Sequence, residues 1–445
     1  MTPDPAPTAR LEKALAGRYP SEDLMAPDLD RISDLLDLLG SPQKTYQSIH
    51  ITGTNGKTST ARMIDALLNS FGVRVGRYTS PHLQSVTERI CIDGDPISPE
   101  LMAAAYDELA PYVDLVDSRH KQRMTFFELL TGLAFAVFAD APVDVAVVEV
   151  GLGGAWDATN VLHAPVAVVT PISLDHQQYL GDTVAAIAGE KAGIIHPGAR
   201  LVTAAQPADA AAALLSRAVE VGAEVAREGI EFGVLTREIA VGGQRLALQG
   251  LAGVYDDVLL PLHGRHQAHN AVCALAAVEA FFGAGADRQL EIEAVRAGFA
   301  AVQSPGRLEV VRRGPTILLD AAHNPAGAAA LAIAIAESFT FDRLVGVIGV
   351  LADKDVRGIL DQLAETLDQV IVTQSSSPRA LPARDVADIA IEVFGPERVA
   401  VADTLPDAIE SAVELAEGAE LGGGGVLITG SVVTVGEARA LLLGR

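Results

Sequence analysis

The run Ile49-His50-Ile51-Thr52-Gly53-Thr54-Asn55-Gly56-Lys57-Thr58-Ser59-Thr60 restricts this chain more than any other segment. Ile49 to Thr52 is β-prone, Gly53 and Gly56 permit a tight turn, and apolar residues at helical spacing follow at Met63, Ile64, Leu67, Leu68 and Phe71. The spacing predicts a helix from about Ser59, closed by Gly72. A strand that passes through a glycine loop into the positive end of a helix turns backbone N–H groups inward, toward an anion. Lys57 adds a compact cation, and Thr58 or Ser59 offers a hydroxyl to magnesium, so the loop reads as a cradle for the β- and γ-phosphates of a nucleotide. The general G-x-x-x-x-G-K-[ST] pattern would place its first glycine at Ile51, whereas this chain has glycine at 53. The shorter form belongs to a narrower set of ATPases.

Such an anion has to be met locally, because the 445-residue chain carries a formal charge of −24. That balance argues against a nucleic-acid partner, which needs a basic face. Only six of the 33 basic residues are lysines, so Lys57, Lys191 and Lys354, each inside a marked motif, stand out as places where the amine itself is required. Cys91 and Cys273 are too few for a disulfide framework, and a reducing cytoplasm is expected. The proline-rich segment Met1–Arg10 has no signal-peptide pattern, and the apolar run from Leu129 to Ala139 is too short to span a membrane.

The predicted fold is α/β in two domains. Ile49–Thr52, Val143–Val150 and Val166–Pro171 read as buried parallel strands of a P-loop ATPase domain over residues 1–303, with a β-rich insertion at about 225–262. Gln303-Ser304-Pro305-Gly306 reads as a hinge. Beyond it, strands near 316–320, 343–350, 369–374, 398–402 and 425–430 alternate with helical runs, which predicts a smaller doubly wound, Rossmann-like domain over 304–445.

Ligands of open α/β sheets collect beyond the carboxyl ends of strands. Glu149 ends one buried strand among glycines and needs a metal or lysine beside it. Asp175 or His176 follows the next strand, Ser80 lies in the loop Tyr78–Leu83, and Asp320, His323 and Asn324 end a strand of the second domain. Lys191 sits in Gly189-Glu-Lys-Ala-Gly193.

Taken in order, Gly53-Thr-Asn-Gly-Lys-Thr-Ser59, Thr79-Ser-Pro-His-Leu83, Glu149-Val-Gly-Leu-Gly-Gly154, Asp157-Ala-Thr-Asn160, Gly189–Gly193, His266–Asn270, Pro305-Gly-Arg307 and Asp320–Pro325 give a chain that resembles the folylpolyglutamate synthase/dihydrofolate synthase family of the Mur-ligase superfamily over nearly its whole length. Thr79–Leu83 followed by Glu88-Arg89-Ile90 points to the folate branch. Thr58 and Ala321 stand where many relatives have glycine, and neither change removes a reactive side chain.

The resemblance implies ATP-dependent ligation of L-glutamate to dihydropteroate or to the glutamyl tail of reduced folates, through an acyl phosphate. By similarity, Gly53, Thr54, Asn55, Gly56, Lys57, Thr58, Ser59, Asn270, Arg307, Asp320 and His323 hold ATP. By the same resemblance, Ser80 and Glu149 hold one magnesium and His176 a second, Thr58 offers a further ligand, Lys191 is carried as a metal-binding carbamate, and a monovalent cation is also expected. Lys57, Lys191, His176, Asp320 and His323 are the expected catalytic set, and His82, Arg89, Phe127 and Asp157 the expected folate contacts. A monomer is expected. Two other readings share parts of this pattern: a cell-wall Mur-type amide ligase, and a nucleotide-binding regulator on a ligase scaffold.

Overall fold

A computed structural model describes residues 7–18, 28–285, 288–419 and 423–444. Most of the proline-rich start, residues 1–6, lies outside that range. The first sheet is built from β1 (Gln47–Thr52), β2 (Val75–Tyr78), β3 (Ile90–Ile92), β4 (Asp95–Pro96), β5 (Val145–Glu149), β6 (Val166–Val169), β7 (Arg200–Thr203) and β8 (Glu224–Arg227). Their order is β4-β3-β2-β5-β1-β6-β7-β8. Six of these strands run parallel, and the hairpin-like β3 and β4 complete one edge antiparallel.

Strand β1 therefore lies between β5 and β6, with Ile51 paired to both Glu149 and Val168. That register puts the loops after all three strands side by side at one sheet edge. The apolar residues of β1, β5 and β6 are shielded on both faces, as parallel strands flanked by helices must be. On one face, the helix Lys57–Ser70 packs with Arg265–Phe282 and Ile292–Ala300. On the other lie Phe126–Asp140 and Ala208–Val221.

The phosphate-loop helix begins at Lys57, two residues before the predicted start, because Gly56 adopts the left-handed φ of 91° that launches it. Its inward Asp65 meets Arg77 of β2 at 2.5 Å, with both side chains buried. Asn69 completes the carboxylate at 2.7 Å, and Cys91 Sγ accepts from Arg77 at 2.9 Å. This pair also explains why β2 was missing from the sequence prediction: a buried arginine interrupts the apolar run.

The β-rich insertion starts later than expected. Glu224–Arg227 is β8 of the main sheet, parallel to β7, and its polar residues suit an edge strand. The insertion proper is the antiparallel meander β9 (Gly233–Ala240), β10 (Gly243–Gln249) and β11 (Val254–Leu260).

All five strands expected in the second half are present, as β13 (Thr316–Leu319), β14 (Arg343–Ile348), β15 (Gln369–Val372), β16 (Val399–Val401) and β17 (Gly424–Thr429). An unpredicted strand, β12 (Glu309–Arg313), adds an antiparallel edge, so the order is β12-β13-β17-β14-β15-β16. Its alternation is broken by a bulge between Val310 and Arg312. Among the described residues no helix is long and apolar enough to cross a membrane.

Replacing Arg77 with Leu leaves Asp65 a buried, largely unpaired carboxylate, and we expect a loss of about 3–5 kcal/mol in urea unfolding. Changing Asp65 to Leu as well should recover most of it, since the desolvated charge is then gone.

Candidate active site

The phosphate loop is braced by the strands around it. Thr54 Oγ1 donates to the Ser173 carbonyl at 3.0 Å and accepts the Ser173 N–H at 3.1 Å, which ties it to the loop after β6. A Cβ on Gly56 would stand 2.5 Å from Asn270 Oδ1, so only glycine permits this approach of the loop to the helix Arg265–Phe282. Asn270 is thus beside the loop, as expected for a nucleotide contact, and its amide donates to Gln267 at 3.1 Å.

Lys57 Nζ donates to the carbonyls of Gly53 (3.0 Å) and Thr54 (3.1 Å). Lys191 Nζ reaches the same Gly53 carbonyl at 2.8 Å from the helix Val184–Lys191. Burial and then the Lys57 charge lower Lys191 to about 7, and burial lowers Lys57, with Glu149 and Asp175 opposing.

Glu149 is 1% exposed at the end of β5. Thr58 Oγ1 lies 3.0 Å from both carboxylate oxygens, and the Ser80 N–H donates to one at 3.3 Å. Burial raises its pKa, while Lys57, Thr58 and Ser80 pull the other way. Carboxylate and hydroxyl oxygens are the donor set that magnesium prefers. Among the described residues no group of three or more acidic, histidine or cysteine side chains is arranged to hold a metal ion by itself, so phosphate and water oxygens would have to complete its shell. A small cleft lined by Thr58, Arg62, Thr79, Pro81, Glu88 and Arg307 opens beside this carboxylate, with Arg307 contributed from the second half of the chain.

His176, after β6, has a left-handed φ of 50° and stands 3.9 Å from Asp175. His323 and Asp320 follow β13. His323 lies 3.7 Å from the other Asp175 oxygen, while Asp320 accepts the N–H groups of Leu308 and Ala322 at 2.8 and 2.9 Å. Burial is the largest influence on both histidines and lowers each to about 4, so both are neutral imidazoles near pH 7. Burial alone would raise Asp175, yet His176, Lys354 and His323 together hold it well below the usual carboxylate range.

The sequence offers Asp175 only as an alternative to His176, and it assigns no task to Lys354 or Asn324. Lys354 Nζ sits 2.9 Å from Asp175, and Asn324 donates to it at 3.1 Å. The scarcity of lysine was the signal for Lys354. Nothing in the sequence linked it to a partner 179 positions away.

The expected folate contacts form a neighbouring group. Arg89 Nε donates to His82 Nδ1 at 2.9 Å, and its guanidinium lies 5.2 Å over the Phe126 ring. Burial and then Arg89 lower His82 to about 4. Phe127 leans on Tyr78 (centroids 5.9 Å apart) and presses on Gly151, where a Cβ would meet its ring at 2.5 Å. Asp157 is buried and its oxygens are taken up locally, one by the Leu152 N–H at 2.9 Å and the other by the Thr159 hydroxyl at 2.5 Å and N–H at 3.0 Å. His50 Nε2, unnoticed in the sequence because it lies inside β1, meets that hydroxyl at 2.8 Å.

This arrangement has counterparts among known proteins. The family model described as Mur ligase middle domain matches residues 51–278, and that described as Mur ligase, glutamate ligase domain matches residues 306–432. A dihydrofolate synthase/folylpolyglutamate synthase of Mycobacterium tuberculosis is 57% identical, over 99% of this chain and 95% of its own. The solved structure of a Mycobacterium tuberculosis folylpolyglutamate synthase complexed with ADP superposes with a TM-score of 0.95 at 57% identity, covering 99% of this chain and 98% of that one. An FPGS–AMPPCP–folate complex does so with a TM-score of 0.86 at 31% identity, covering 98% and 100%. Two matched domains, near-complete coverage and the strand-end loops described above agree: the chain belongs to the folylpolyglutamate synthase/dihydrofolate synthase family of Mur ligases.

Proposed function

We propose that this chain uses ATP to join L-glutamate to dihydropteroate and to the glutamyl tail of reduced folates, passing through an acyl phosphate. The observation that carries the reading is the position of Glu149. It is held at once by Thr58 of the phosphate loop and by Ser80 of the Thr79–Leu83 loop, where a nucleotide's γ-phosphate and an acceptor carboxylate would meet. The names of the matched relatives, and the AMPPCP and folate bound in one of them, support the same substrates.

In this mechanism an acceptor carboxylate oxygen attacks the γ-phosphorus and the bond to the β-phosphate oxygen breaks, releasing ADP. The amine of L-glutamate then attacks the acyl carbon and inorganic phosphate leaves, which avoids expelling oxide from a free carboxylate. Lys57 and the loop N–H groups stabilise charge on the phosphates, with Arg307, Asp320 and His323 holding the nucleotide from the other side. His82, Arg89 and Phe127 orient the acceptor, and Asp157 shapes the loop that faces it. Ser80 and Glu149, with Thr58, would hold one magnesium ion and His176 a second, with a carbamate on Lys191 as a further metal-binding group, and these ions would supply charge neutralisation of the transferred group. A monovalent cation belongs to the same reading. Residues 1–303 and 304–445 act as two domains hinged at Gln303–Gly306, in a cytoplasmic monomer.

Four measurements test this. Phosphate release with L-glutamate is expected from both dihydropteroate and tetrahydrofolate, whereas activity only on a nucleotide-linked peptide would mark a cell-wall ligase. Lys57→Ala should fold normally and lose roughly a hundred-fold or more of kcat. The neutral Lys191 amine that reacts with carbon dioxide dominates above a pKa of about 7, so protein stripped of carbon dioxide in acid should regain activity faster at pH 8 than at pH 6 when both solutions hold the same concentration of dissolved carbon dioxide. Lys191→Ala should respond to short carboxylic acids instead; full activity without them would remove the carbamate from the scheme.

A further inference from the structure

Asp175 lies in the loop after β6 of the first sheet, but two of its partners come from the second half of the chain. One oxygen accepts Lys354 Nζ at 2.9 Å and its own neighbour's N–H, that of His176, at 2.9 Å. The other accepts Asn324 Nδ2 at 3.1 Å and faces His323 Nε2 at 3.7 Å. The side chains of Asp175 and Lys354 are only 10% and 8% exposed, which sets this pair apart from ordinary surface bridges.

Asn324 extends the joint to the phosphate loop. Its Oδ1 caps the helix Pro325–Ser338 by accepting the Gly327 N–H at 2.8 Å, and it also accepts Asn55 Nδ2 at 3.3 Å. Its Nδ2 donates both to Asp175 and, at 3.1 Å, to Asn55 Oδ1. One 3%-exposed amide thus binds its own helix, the loop that carries Lys57, and the loop that carries His176. Each bond restricts the others, because rotating the amide to improve one breaks at least two.

We propose that Asp175 is a positioning residue: through Lys354 and Asn324 it registers the second domain on the phosphate loop, so that phosphoryl transfer proceeds only when the domains are docked. This rests on the ligase reading above and adds to it a route by which the second domain acts on the loop beyond contributing nucleotide contacts.

The test uses the full chain with Lys354→Met, Lys354→Arg, Asn324→Asp and the Met/Asp double variant. Aspartate keeps the helix cap but removes both amide donations and sets a second carboxylate against Asp175. We expect Lys354→Met and Asn324→Asp each to lower kcat by about 10-fold or more, with the Kd for AMPPCP within about 3-fold of the parent. The double variant should lose little more than the worse single one, Lys354→Arg should recover most of kcat, and small-angle scattering should show a larger radius of gyration for Lys354→Met. Unchanged kcat in both single variants, fully additive losses, or a loss in AMPPCP affinity equal to the loss in kcat would overturn the proposal. If the parent protein released no phosphate with either folate acceptor, the ligase reading would fail, while the scattering comparison would still decide whether Lys354 docks the domains.

Discussion

A carboxylate at the inner end of a buried strand cannot be left without donors, and much of this structure is organised by that requirement at Glu149. Strand β5 is covered on both faces, so its terminal glutamate has no access to bulk water and must be satisfied by whatever lies at the sheet edge. The register of β5 against β1 and β2 brings Thr58 and Ser80 to it. The loops that would carry nucleotide and acceptor are therefore placed by the same hydrogen bonds that make the strand tolerable. Thr58 is instructive here, since its hydroxyl lies within hydrogen-bond reach of both oxygens of the carboxylate.

Electrostatics give the region its second ordering principle. The chain is strongly acidic, yet Lys57 and Lys191 meet at the Gly53 carbonyl, and Lys354 on Asp175 and Arg307 are close enough for their charges to act on Lys57. Burial first, and then neighbouring cations, lower Lys57 and Lys191, with Glu149 opposing at Lys57 and Asp175 at both. A polyphosphate bound at the loop would bring its negative charge to these cations.

How much of this was legible in advance depended on whether the signal was local. The glycine loop, the two-sided apolar strands β1, β5 and β6, and the five alternations of the second half are each encoded within a dozen residues, and each was found. Strand β2 was hidden by the buried Arg77, β8 by its polar edge composition, and β12 by its bulge. At the site, motif order picked out Ser80, Glu149 and Lys191. The pairing of Asp175 with Lys354, and of Asn55 with Asn324, is a property of how two sheets meet and has no period or spacing to betray it. His50 was overlooked for a related reason: inside a β-prone run it looks like filler until Thr159 is seen beside it.

The carbonyl of Gly53 accepts from Lys57 and Lys191 together. A carbonyl oxygen has two acceptor directions, and here each is taken by an amine from a different helix. If Lys57 turns away toward an incoming phosphate, the peptide keeps one donor and the loop is not left with an orphaned acceptor. Lys191 thereby acts as a standing understudy that lowers the cost of releasing Lys57.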